Sequence, residues 1–144
     1  MTVAAILKHK GRHVVTVAPT ATIAEVAQVL SDKRIGAALV QDSANQLLGI
    51  VSERDIVRSL AANGARTLEM TAGQLMTRAL KTASPHTTIP EAMHEMTIGR
   101  FRHMPVIDRG ALVGVISIGD VVKARIMQQD HEVESLKTYV AGTA

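Results

Sequence analysis

The sequence predicts a mixed α/β (α+β) fold made of two β-α-β-β-α repeats packed face to face about a pseudo-twofold axis. Three observations point there. The chain matches itself in order over most of its length. Each copy passes from helical to strand periodicity at the same place, and neither could bury its sheet face alone. The core is aliphatic by necessity: 47% of the 144 residues are hydrophobic, yet there is one Tyr, one Phe, no Trp and seven Met.

The self-match begins with the lead-ins, Thr2-Val3-Ala4-Ala5-Ile6-Leu7 against Thr71-Ala72-Gly73-Gln74-Leu75-Met76. Val17-Ala18-Pro19 then aligns with Ala83-Ser84-Pro85, Thr22-Ile23-Ala24-Glu25 with Thr88-Ile89-Pro90-Glu91, and Arg34 with Arg100. Val40 and Asp42 meet Val106 and Asp108. After one deleted residue, Gly49-Ile50-Val51-Ser52-Glu53-Arg54-Asp55 meets Gly114-Val115-Ile116-Ser117-Ile118-Gly119-Asp120. The reading is a short N-terminal helix over 2–7, repeat one over 8–66, repeat two over 71–129 and a helical tail over 130–144.

Each repeat opens on a short strand before its Pro. The first helix starts at a capping-box pattern, Thr22-x-x-Glu25 or Thr88-x-x-Glu91, where the hydroxyl caps a backbone N–H and the carboxylate reaches back. Pro90 falls in the first turn, where a missing N–H costs little. Ile23, Val26, Ala27 and Leu30, like Ile89, Ala92, Met93 and Met96, then recur at helical spacing. Ala37 to Val40 and Leu47 to Val51 read as a hairpin across Asp42-Ser43-Ala44-Asn45. Met104 to Ile107 and Leu112 to Ile116 read as another across Asp108-Arg109-Gly110. The closing helices run from Glu53 to Ala62 and from Gly119 to about Gln129. Beyond Asp130 the tail is charged, with an apolar stripe of Val133, Leu136 and Tyr139-Val140. It reads as a helix lying on the module or on a second subunit, or as a frayed terminal helix.

Composition removes several function classes. No cysteine is present, which excludes disulfides, thiolate catalysis and Cys-based zinc sites. No stretch approaches the ~18 apolar residues of a spanning helix, so no membrane is expected and the location is read as cytoplasmic. The net charge of +3 comes from scattered Lys and Arg with almost no aromatics, which argues against nucleic acid. The histidines lack paired ligand spacing, so no metal is expected. Neither a phosphate-binding glycine loop nor a nucleophile elbow occurs, and nothing points to an enzyme.

The strongest local pattern is Gly-h-h-Ser-x-x-Asp (h apolar), where a strand hands over to a helix. A single copy reads most simply as capping: Ser caps, Asp favours the positive end of the helix dipole and Gly eases a tight turn. Two copies at matching places shift the balance towards a ligand. A carboxylate there can accept both hydroxyls of a ribose diol, each charge-assisted bond worth roughly 1.5–3 kcal/mol. The adjacent helix N-terminus favours a phosphate. A second constellation, Arg100-Phe101-Arg102-His103-Met104-Pro105-Val106, offers phosphate donors and an apolar wall for a base. The matching residues of repeat one, Gly36-Ala37-Ala38-Leu39, carry no charge, which predicts two unequal sites; Arg54 compensates in part.

Together, the doubled Pro-x-x-Thr-Ile-x-Glu, the Asp turn and Gly-h-h-Ser-x-x-Asp resemble paired CBS domains, named after cystathionine β-synthase. The resemblance covers about Val14 to Ile126 and is nearest to small bacterial proteins consisting only of such a pair. It implies a regulatory module that binds AMP, ATP or NAD(H) in clefts between the repeats, senses energy or redox state, and acts as a homodimer or through an unknown regulated protein. It implies that Asp55 and Asp120 hold ribose, helped by Ser52 and Ser117, and that Thr16-Val17 and Thr82-Ala83 meet the base through backbone groups. Gly36-Ala37 and His103-Met104-Pro105 would flank the base or approach phosphates, Arg54 and Arg102 would pair with phosphate, and Met76 and Ile118 complete the set. The alternative is a dimeric interaction scaffold whose clefts are vestigial.

Overall fold

The structure, a computed structural model, describes residues 1–143. The chain divides into two compact units. One is His13–Leu80. The other joins Met1–Arg12 to the chain from Lys81 onward. Each unit therefore holds the body of one repeat and the lead-in of the other.

In the His13–Leu80 unit, β1 (Thr16–Val17) pairs in parallel with β2 (Ala37–Gln41), which pairs antiparallel with β3 (Leu47–Ser52). Helix α2 (Ile23–Lys33) lies between β1 and β2 in sequence, and α3 (Glu53–Asn63) follows β3 directly. A 3₁₀ turn (Gly64–Glu69) and the short α4 (Ala72–Leu75) close the unit. The four-residue α4 is tied down by its neighbours. Ala72 N–H donates to Ala21 O (2.8 Å), Gly73 N–H to Pro19 O (2.9 Å), and Ile23 N–H to Met70 O (2.8 Å). The core is aliphatic, as the composition requires: Ile23, Val26, Leu30, Val40, Val51 and Ile56, with Ala72 and Met76 from the lead-in of repeat two.

The second unit repeats the plan. Helix α1 (Val3–Lys10) buries Val3, Ile6 and Leu7 at helical spacing. It packs with α5 (Ile89–Gly99), the hairpin of β4 (His103–Asp108) and β5 (Ala111–Ser117), and the start of α6 (Ile118–Thr143). Its two-residue hairpin turn uses Arg109 and Gly110, both at positive φ, as a type I′ turn requires.

Three expectations change on contact with the structure. The opening strand of repeat two shrinks to one bridge, Ala83 with Val106. In repeat one, Leu39 N–H donates to Val15 O (3.1 Å). Pro105 holds the matching place and has no N–H to give. The capping box is complete at Thr88, where Glu91 reaches back to the Thr88 N–H (3.4 Å). At Thr22 only the hydroxyl half forms, accepting from Glu25 N–H (3.2 Å). Finally, the closing helix of repeat two and the tail form one continuous helix, α6, with no break at Asp130.

Candidate nucleotide-binding motifs

Both Ser-x-x-Asp motifs sit at a strand-to-helix junction, and in both the serine is the residue that enters the helix. Ser52 Oγ accepts from Asp55 N–H (3.2 Å), while Asp55 Oδ2 accepts from Ser52 N–H (2.9 Å) and Ser52 Oγ (3.0 Å). Ser117 Oγ accepts from Asp120 N–H (3.1 Å), and Asp120 Oδ2 accepts from Ser117 N–H (2.8 Å). The capping reading is therefore correct. Reciprocal bonds hold each carboxylate in one orientation, with Oδ2 turned to the backbone. Oδ1 takes no part in these capping bonds.

Hairpin register brings the second set of candidates to the same place. Ala37 pairs with Ser52, and Gly36 O accepts from Glu53 N–H (2.9 Å). In the other unit His103 pairs with Ser117, and Arg102 O accepts from Ile118 N–H (2.7 Å). Gly36-Ala37 thus flanks Ser52 to Asp55, and Arg102-His103 flanks Ser117 to Asp120. Arg54 is half-buried and Arg102 exposed, while Met104 and Pro105 are buried on β4. Thr16 and Val17 lie across β2, opposite Leu39 and Val40 and beyond Ala37 in the strand. Thr82 is exposed and Ala83 buried against β4.

The glycine of the motif does something other than turn the chain. Gly49 and Gly114 lie inside β3 and β5, and neither has positive φ. A Cβ on Gly49 would stand 2.6 Å from the Thr77 carbonyl oxygen and 2.8 Å from Met76 Sδ. A Cβ on Gly114 would stand 2.6 Å from Leu7 Cδ2. Each glycine makes room for the lead-in that packs on its strand. Met76, one of the ligand candidates, is buried in that packing.

Sequence reasoning missed Lys10. Its Nζ lies 2.7 Å from Asp120 Oδ2 and also donates to Val115 O (3.1 Å). Partial burial pushes the Asp120 carboxyl up, but the Lys10 hydrogen bond, the Ser117 N–H and the Lys10 charge outweigh it and hold the group below its ordinary value. Asp55 has no ion pair among the described residues. The only hint in the sequence is that Ala79 stands where alignment of the lead-ins would put a second Lys10. Among the described residues no group of acids and histidines could hold a metal ion, and no helix is long and apolar enough to cross a membrane.

With this geometry in place, comparison with known proteins decides the family. The CBS domain model matches residues 6–62 and 72–126. The chain belongs to the CBS-domain family. The resemblance read from the doubled motif is thereby confirmed, as is the α+β fold. The crystal structure of the CBS-domain containing protein ATU1752 from Agrobacterium tumefaciens is 45% identical, with a TM-score of 0.85, over 87% of this chain and 99% of that one. The CBS domain protein PAE2072 from Pyrobaculum aerophilum, solved in complex with AMP, is 32% identical at a TM-score of 0.74, over 83% of this chain and 89% of that one. The mitochondrial CBS domain-containing protein CBSX3 of Arabidopsis thaliana is 34% identical over 84% of this chain, which spans only 61% of that relative's length.

Proposed function

We propose that this CBS pair is a regulatory module that binds adenosine nucleotides at its two Ser-x-x-Asp motifs and passes their level on to a partner or to its own assembly. The observation that carries the reading is the paired orientation of Asp55 and Asp120. Each is held through Oδ2 by its own serine N–H, at 2.9 and 2.8 Å, beside the N-terminus of a helix. A ribose diol needs such an acceptor, and the helix end suits a phosphate. The AMP complex of the similar PAE2072 supports an adenosine ligand. On this reading Gly36, Ala37, Arg54, Arg102 and His103 meet the ligand beside the two acids, and the protein has no catalytic role. Signalling requires the ligand to bind two conformations unequally.

Calorimetry with AMP, ATP, NADH and S-adenosylmethionine tests this directly. A micromolar site corresponds to about −8 kcal/mol. Asp55→Asn and Asp120→Asn keep a helix-capping side chain and should each weaken one binding event. Absence of heat with every ligand at millimolar concentration rejects the proposal and favours a scaffold with vestigial clefts.

A further inference from the structure

From Gln129 to Val140 every residue of α6 is exposed, including Val133 (50%), Leu136 (63%) and Val140 (58%). A solvated helical segment this short is marginal on its own and gains little from such side chains in water. The apolar positions are also ordered. Val122, Ile126, Gln129, Val133, Leu136 and Val140 follow one another at alternating steps of four and three residues, the heptad spacing of a coiled-coil seam. The inward face of α6, carrying Val121 and Ala124, is already spent on the core of its unit.

We propose that this seam pairs with the same seam of a second copy of the chain, as a parallel, in-register, two-stranded coiled coil. The residue types at each heptad position name this occupant. Ile126, Val133 and Val140 fall at a and are all β-branched; Leu136 falls at d with Val122 and Gln129. β-branched residues at a with Leu at d suit two parallel strands; Leu136 is the one Leu at d, and the register rests on the flanking charges. The flanking charges agree. In a parallel pair Arg125 at g faces Asp130 at e of the other copy, and Glu132 at g faces Lys137 at e. An antiparallel pair centred on the same seam would instead set Asp130 against Asp130, Glu132 against Glu132 and Lys123 against Lys137. Among the described residues Lys137 pairs with Glu134, at 3.8 Å and well exposed, a contact weak enough to exchange.

The chain has no cysteine, which makes a direct test simple. Val133→Cys, at a, should oxidise to a covalent dimer, because parallel in-register pairing sets each a residue against its own copy. Adding Leu136→Lys to that variant should slow the cross-link at least tenfold with the circular dichroism of the folded units retained. Glu132→Lys should weaken dimerisation, measured by sedimentation, and Lys137→Glu in the same chain should restore it. A wild-type chain that sediments as a monomer at tens of micromolar overturns the proposal. So does a dimer in which Val133→Cys fails to cross-link, or one whose cross-linking ignores Leu136→Lys, as binding of another partner on this face would predict.

Discussion

Lys10 Nζ stands 2.7 Å from Asp120 Oδ2, and among the described residues this contact has no counterpart at Asp55. The cause lies in the lengths of two helices. Helix α4 stops after four residues, so the chain extends and Thr77 exchanges backbone hydrogen bonds with Ile50 (2.9 and 3.0 Å). Helix α1 continues through Lys10 before Gly11 ends it at φ 99°. Val115, at the place of Ile50, therefore offers its carbonyl to the Lys10 ammonium, which lies within reach of the acid as well.

Removing the ammonium should cost modest stability. Lys10→Met leaves Asp120 with its serine alone, and a partly exposed ion pair contributes about 0–1 kcal/mol. The expected loss is a few degrees in melting temperature, shrinking as salt is added. A loss of ten degrees or more would mean that Lys10 organises the unit rather than pairing with one acid.

The pH dependence follows from the sign of the Asp120 shift. Its folded-state pKa is lowered, so the ionised form is favoured on folding. Its contribution is fully present above the ordinary carboxylate pKa and fades as pH falls through the lowered value. Chemical denaturation of wild type and Asp120→Asn from pH 6 down to pH 2 should show the wild-type advantage disappearing only in the acid part of that range. An advantage that grows on acidification contradicts the assignment.

Neither motif glycine should tolerate a methyl group, and the two should differ. Overpacking a core costs about 1–3 kcal/mol. Gly114→Ala meets the end of the Leu7 side chain, which can turn aside, whereas Gly49→Ala meets the backbone oxygen of Thr77. Urea titrations should therefore rank Gly49→Ala as the more damaging of the two. Equal, negligible effects would show that the lead-ins do not press on these strands.

Leu7 tests the exchange of lead-ins. It is 1% exposed and packs with the Lys81-onward unit, not with the repeat it precedes in sequence. Leu7→Ala should destabilise by about 2–5 kcal/mol. Hydrogen exchange should quicken first in α5, β4 and β5, and protection lost first in α2 and β2 would contradict the division into units.

Local features were legible in the sequence because a few neighbouring residues carry them. The Thr88 capping box and both Ser-x-x-Asp caps join residues three apart, and the hairpins are set by alternating apolar residues around Asp and Gly turns. From these the two repeats and the α+β class could be read directly, whereas the strand register of the folded hairpins is what sets Gly36-Ala37 and Arg102-His103 beside Ser52 and Ser117. The loss of the opening strand at Pro105 was readable too, once the hydrogen bond it forgoes is considered. Tertiary structure alone decided which unit each lead-in joins, why Gly49 and Gly114 are glycines, and that Lys10 closes on Asp120. That last contact joins residues 110 apart. Its formation depends on where α1 ends and on how the buried faces of α1 and β5 meet, and no short window of sequence records that encounter.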